Sequence, residues 1–287
     1  MESVIKLSCS NNVSCLFPIF LNFVKSIFMQ RVGLIIFTLA AGIIFCSFLF
    51  KTSPEKYLKK QGFRFISLSN ENKEEGFFIF ETEISNDTYK YFLNDLKSKG
   101  RTDDYEIARV DSSGWEIAFN DFAPYTNFYF QHESYDQYPV VNISYEGAVL
   151  YCKWLTEIYK SEGYDITVSL PDSIQWKTAA KGGNAENIYS WEGTANVNKK
   201  GFYKCNAKKE EECSYVTAPV YSFEKNNFGL YNTCGNVAEM LKEKGSHKGG
   251  SWNSSLNYVK LDSKDEYAGM SEPSPYIGFR PVAIINN

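Results

Sequence analysis

A mixed α+β domain poor in regular structure, carried behind an N-terminal transmembrane or signal-anchor helix, is the fold class the sequence predicts. Three observations predict it. Residues 32–50 form an apolar run without a charge. Residues 53–183 hold helix-type and strand-type patterns with no regular alternation between them. Beyond residue 183 the chain is dense in Gly, Asn and aromatic residues, a mixture that suits fixed loops better than helices or strands.

The chain of 287 residues has room for one large domain or two small ones, and its 44% hydrophobic and 16% aromatic content supports a sizeable core. Net charge is −4 and no long basic block occurs. Phosphate backbones demand clustered positive charge, so a nucleic-acid partner is not expected. The seven cysteines are Cys9, Cys15, Cys46, Cys152, Cys205, Cys213 and Cys234, with no CxxC pair, and the only histidines are His132 and His247. That pattern argues against a structural zinc site or a His-based redox metal.

Residues 1–28 read as an upstream extension, interrupted by Pro18, Asn22 and Lys25. Met29 is a candidate start. Gln30 and Arg31 then lead into Val32 to Phe50, giving the charged n-region and apolar core of a signal anchor over 29–51. The run approaches the roughly 20 residues that span a bilayer. Cys46 raises a lipoprotein-like attachment, but Phe45 stands where a small residue belongs, so an uncleaved anchor is favoured. The expected topology leaves a short N-terminus inside and the bulk in the periplasm or at the cell exterior.

Residues 52–71 read as a linker that includes a short Ser-Pro helix start at Ser53, and the domain proper as 72–287. Phe63 to Leu68 and Gly76 to Glu81 read as strands. Ser85 or Asn86 caps a helix with the apolar face Tyr89, Phe92, Leu93 and Leu96, ended by Gly100. Residues 101–137 lack a period and read as loop with one hairpin. Ser144 caps the next helix, where Ala148, Cys152, Leu155 and Tyr159 recur at helical spacing until Gly163. A strand at Ile166 to Leu170 follows. Asp172 and Gln175 then make a capping box for a helix that Gly182-Gly183 terminates.

The stretch Asn227 to Met240 reads as a hydrogen-bonded loop, because Gly and Asn accept left-handed backbone angles. Calcium takes about six to eight oxygens from side chains and carbonyls. The Asn232 side chain, the carbonyls of Gly235 and Val237 and the Glu239 carboxylate offer that mixture. The same residues also suit turn caps, with Glu239 a surface acid. Cys205 and Cys213 flank Asn206 to Glu212 and close it as a disulfide outside the cytosol, or remain two free thiols.

Four blocks lie in one order. They are Tyr138 to Glu146 with Tyr151 to Leu155; Leu170 to Trp176 with Ala179 to Gly183; Gly229 to Asn232 with Gly235 to Glu239; and Gly249-Gly250-Ser251-Trp252 with Gly278-Phe279-Arg280. Together they resemble the formylglycine-generating enzyme family, also called the sulfatase-modifying factor domain, over about residues 72–285. The resemblance implies a compact α+β fold related to C-type lectins. It implies calcium at Asn232, Gly235, Val237 and Glu239, and a weaker second site near Asn196, Val197, Glu212 and Ser214, where Glu212 stands in place of an Asp.

The resemblance also shows where the chain departs. Family oxidases convert a substrate cysteine to formylglycine with two copper-holding cysteines, whose positions match about Ser254 and Val259 here. A hydroxyl and an isopropyl group do not replace soft thiolates for Cu(I), so neither copper nor formylglycine synthesis is expected. Cys152 loses its family partner, since Pro281 stands there, and Ala238 and Met240 replace tryptophans. The expected function is a pseudoenzyme: an anchored, calcium-stabilised binding or scaffold module like envelope lipoproteins of gliding and secretion machinery. Its surface of Ser251, Trp252, Asn253 and Arg280 would meet a protein or glycan, although Arg280 also reads as a buried structural cation. The alternative is a metal-dependent oxidoreductase drawing on His132, His247, Asp262, Asp265 and Glu266.

Overall fold

A computed structural model describes residues 52–68, 75–119, 123–208 and 216–286. The upstream extension 1–28, the anchor expected over 29–51, and Glu212, Cys213 and Ser214 lie outside the described residues. Among those described, no helix is long and apolar enough to cross a membrane.

The chain from Pro54 onward forms one unit. It opens with helix α1 (Pro54–Lys60) and strands β1 (Phe63–Ser67) and β2 (Gly76–Phe80). Helix α1 and strand β1 stand where a short helix start and a strand were expected. The reason is packing: Leu58 and Phe63 are fully buried, and β1 pairs antiparallel with β2, setting Phe63 against Phe80.

Helix α2 (Asn86–Ser98) starts where Ser85 accepts from the Thr88 amide, and it buries Tyr89, Phe92, Leu93 and Leu96 as its spacing predicts. Residues 101–137 hold no hairpin among the described residues. They form short helices α3 (Thr102–Ala108), α4 (Trp115–Ala118) and α5 (Ala123–Phe128), with 3-10 turns at Ser112–Gly114 and Glu133–Tyr135. Side chains fix the turns: Asp111 accepts from the Ser113 amide and His132 Nδ1 from that of Ser134.

Helix α6 (Tyr145–Ser161) begins at its Ser144 cap, and β3 (Ile166–Ser169) follows. Helix α7 (Ser173–Ala180) carries the expected capping box, Asp172 accepting from the Gln175 amide and Gln175 from the Asp172 amide. The remaining strands are short: β4 (Ala238–Met240), β5 (His247–Lys248), β6 (Ile277–Gly278) and β7 (Val282–Ile285).

Two sheets organise the unit. The larger runs β1-β2-β7-β3, every pair antiparallel, and the smaller runs β5-β4-β6 with β4 and β6 parallel. Both faces of the larger sheet are covered. Phe63, Phe78 and Ala283 join the core of α2 and α6, while Ile66, Phe77, Ile79 and Val282 pack with Ala179 and Leu230. That is why β2 is apolar at neighbouring positions instead of alternating. In the smaller sheet Glu239 on β4 lies between Lys248 and Gly278, which brings it beside Arg280.

Candidate functional site

The loop from Asn227 to Met240 folds around left-handed residues. Gly229, Asn232, Gly235 and Asn236 have φ of 85°, 54°, 79° and 66°, angles that favour Gly and Asn. Gly235 has a second constraint: an added Cβ would run into the Asn206 carbonyl. The loop is thereby pressed against residue 206, and the Asn236 amide donates to the Asn206 carbonyl at 2.8 Å.

Two buried carboxyl groups, one at the end of this loop and one packed against it, organise the site. Glu239, with no exposure, accepts from Arg280 Nε at 3.0 and 3.2 Å and from Arg280 Nη2 at 2.7 Å. Its Oε2 also accepts from the Trp176 indole at 2.7 Å. Arg280 spends its other donors on the carbonyls of Tyr231 (2.7 Å) and Phe80 (3.1 Å), tying the loop to the larger sheet. Burial opposes the guanidinium charge, but Glu239 outweighs it and holds the Arg280 pKa above its ordinary value.

Glu83 is the second carboxylate, and sequence reasoning missed it. It follows β2, is wholly buried, and accepts from the side-chain amides of Asn232 (3.1 Å) and Asn236 (2.9 Å). Burial pushes its pKa up to about 8 against the opposing pull of Arg280. The one signal was an acid in Phe80-Glu81-Thr82-Glu83-Ile84, an apolar context that disfavours charge. Glu81 was missed likewise; it pairs with Arg64 and accepts from the Tyr221 hydroxyl.

A calcium ion fits part of this donor set. Asn232 Oδ1 and Thr233 Oγ1 are buried oxygens with no hydrogen-bond partner among the described residues. Glu83 and Glu239 are two buried carboxyl groups beside one guanidinium, and burial favours the protonated form of Glu83, so a cation held there would displace its proton. Glu239 is the contested ligand, since Arg280 and Trp176 already occupy both of its oxygens. Of the weaker set, Asn196 and Val197 stand at a small turn closed by the Lys204 amide on the Asn196 carbonyl, 2.7 Å.

Ser254 and Val259, close together in the chain, both pack against Gly250. A Cβ built there would meet Val259 Cγ1 at 2.9 Å and Ser254 Cβ at 3.2 Å. Both residues have no exposure. Ser254 Oγ accepts from the Ser251 amide at 2.8 Å and donates to Glu266. Ser251 and Tyr267 share a 2.6 Å hydrogen bond between hydroxyls, and burial pushes the Tyr267 phenol up to about 12. An oxygen network and an apolar methyl pair thus occupy the positions, with no soft donor for Cu(I).

The expected ligand-facing set needs correction. Arg280 and Ser251 are wholly buried and Trp252 is 9% exposed, stacked on Phe119 and bonded to the Pro275 carbonyl. These residues satisfy internal partners and do not present a surface. Asn253 is half-buried, and the exposed residues beside it include Asn257 and Tyr258.

The oxidoreductase donors do not assemble. His132 caps its 3-10 turn at the surface, and Asp262 is held by Lys177 and Lys181. Only His247, Asp265 and Glu266 share a cavity, about 10 Å³, room for about one water. His247 Nδ1 lies 3.4 Å from Asp265. No three His, Cys, Asp or Glu residues among those described are placed to hold a metal ion. Cys152, Cys205 and Cys234 are buried free thiols.

The profile of the sulfatase-modifying factor enzyme 1-like domain matches residues 59–285. A formylglycine-generating enzyme of Streptomyces coelicolor is 32% identical over 114 residues, 37% of this chain and 32% of that protein. An inactive C-alpha-formylglycine-generating enzyme 2 of Bos taurus is 29% identical over 107 residues, 36% of this chain and 32% of that protein. The match thus spans about a third of the length of these curated relatives. The crystal structure of CarF shares the fold with a TM-score of 0.53 at 21% identity, covering 75% of this chain and 89% of that one.

Proposed function

We propose, from the premise that the chain belongs to the sulfatase-modifying factor enzyme 1-like family, that its domain is a noncatalytic binding or scaffold module. The observation that carries the reading is the filling of the Ser254 and Val259 positions. One holds a hydroxyl locked to Ser251, Glu266 and Tyr267, the other a buried isopropyl group. Copper(I) prefers thiolate donors, and the sequence has no cysteine after Cys234. Similarity to a relative described as inactive is compatible with the same conclusion.

The decisive assay offers the purified chain Cu(I) and a cysteine peptide of the kind family oxidases modify. Neither retained copper nor peptide aldehyde is expected from the wild type. Aldehyde formation by the wild type would sink the reading. A Ser254→Cys/Val259→Cys double variant reports separately whether the two positions still bind copper.

The apolar run 32–50 anchors the domain outside the cytoplasm in this proposal, and the partner is a protein or glycan met near Asn253, Asn257 and Tyr258. A photo-crosslinker at Tyr258 should give a discrete adduct in native membranes, while one at the exposed Tyr91 on α2 should not. Equal labelling from both positions rejects that surface. Calcium held by Asn232, Gly235, Val237 and Glu239 stabilises the loop. It should raise Tm by about 5–10 °C at a hundredfold excess over Kd, and Asn232→Ala should abolish the shift.

A further inference from the structure

Cys205 and Cys234 are separated by a long stretch of chain, yet the fold sets them side by side. Asn206 and Gly235 form a parallel bridge, with the Asn236 amide on the Asn206 carbonyl at 2.8 Å. Each cysteine directly precedes one residue of this bridge. Bridged parallel segments lie about 4.8 Å apart, inside the roughly 4.4–6.8 Å Cα separation that disulfides need.

Two further observations agree. Both cysteines belong to one buried apolar cluster with Trp176, Tyr189 and Val259. Gly235 lacks a Cβ where one would strike the Asn206 carbonyl, so the close approach of the two strands is built into the sequence.

We propose that Cys205 and Cys234 are a disulfide-forming pair, oxidised by a disulfide donor such as oxidised glutathione. Two S–H bonds break and one S–S bond forms. The donor's own S–S bond breaks, and the two protons and the electron pair convert it to two thiols. Both thiols are buried in the folded state, out of reach of an outside disulfide donor. The bond therefore forms during folding, before the cluster closes. It fastens the strand at Cys205 to the loop that carries Asn232 and Glu239. The pairing needs only an oxidising donor and stands independently of the binding-module reading.

The test opens the full chain in urea with detergent and returns it to buffer containing oxidised and reduced glutathione. Trypsin and mass spectrometry then map the cysteines. A peptide beginning at Cys205 joined to the peptide that contains Cys234 is expected, both in the wild type and in Cys213→Ser. Reducing that bond should lower Tm by about 5–10 °C. A Cys205 to Cys213 linkage overturns the proposal, and so does quantitative alkylation of Cys205 and Cys234 after oxidation.

Discussion

Removing the Arg280 guanidinium leaves Glu239 buried beside Glu83 with no counter-charge and strips donors from the Tyr231 and Phe80 carbonyls. Breaking one partner of a buried pair costs about 3–5 kcal/mol because the other charge stays desolvated. Arg280→Met is expected to lose stability of that order, read from the urea midpoint, and adding Glu239→Gln should recover part of it. Asp265 gives a prediction in pH. Burial raises its pKa, but the His247 imidazole together with the His247 and Tyr267 amides outweighs this and leaves it depressed. A depressed carboxylate adds stability above its unfolded pKa, near 3.8, and loses it as pH falls through the lower folded value. Asp265→Asn should therefore flatten the fall in Tm below about pH 4. An unchanged acid limb rejects the assignment.

At the scale of elements, α7 is a short helix whose start depends on one residue. Asp172 accepts from the amides of Ile174 and Gln175, each at 2.8 Å, while Gln175 returns a bond to the Asp172 amide. Asp172→Ala should cost about 1 kcal/mol, a fall of about 2–4 °C in Tm. The helix matters because Trp176 reaches Glu239 from it. Residues 101–137 behave differently. Trp115, Tyr125, Tyr129 and Tyr135 pack on one another there, with Trp115 and Tyr129 centroids 4.7 Å apart. Aromatic burial holds these short helices where local propensity is weak.

For the whole molecule, the last strand closes the frame. β7 lies inside the larger sheet, pairing with β2 on one side and β3 on the other. Its neighbours, Gly76–Phe80 and Ile166–Ser169, are both remote from it in the chain, and Val282 and Ala283 are wholly buried. Truncation before Val282 should leave two sheet edges unpaired and two cores open. Loss of cooperative unfolding by circular dichroism is expected. A truncated chain that still melts in one sharp transition would contradict that role.

By itself the sequence determined the helices with side-chain caps, at Ser85, Ser144 and Asp172, because capping and apolar spacing act within a few residues. It also determined the left-handed loop around Asn232 and Gly235, and family membership through four ordered blocks. Tertiary structure alone decided that Glu239 meets Arg280 and that Glu83 lies behind Asn232 and Asn236. It also decided that Ser251 faces inward, and it chose the buried-cation reading of Arg280 over the ligand-facing one. Those contacts join residues remote in the chain, and their partners are fixed by strand register and burial, which leave no local trace in residue order.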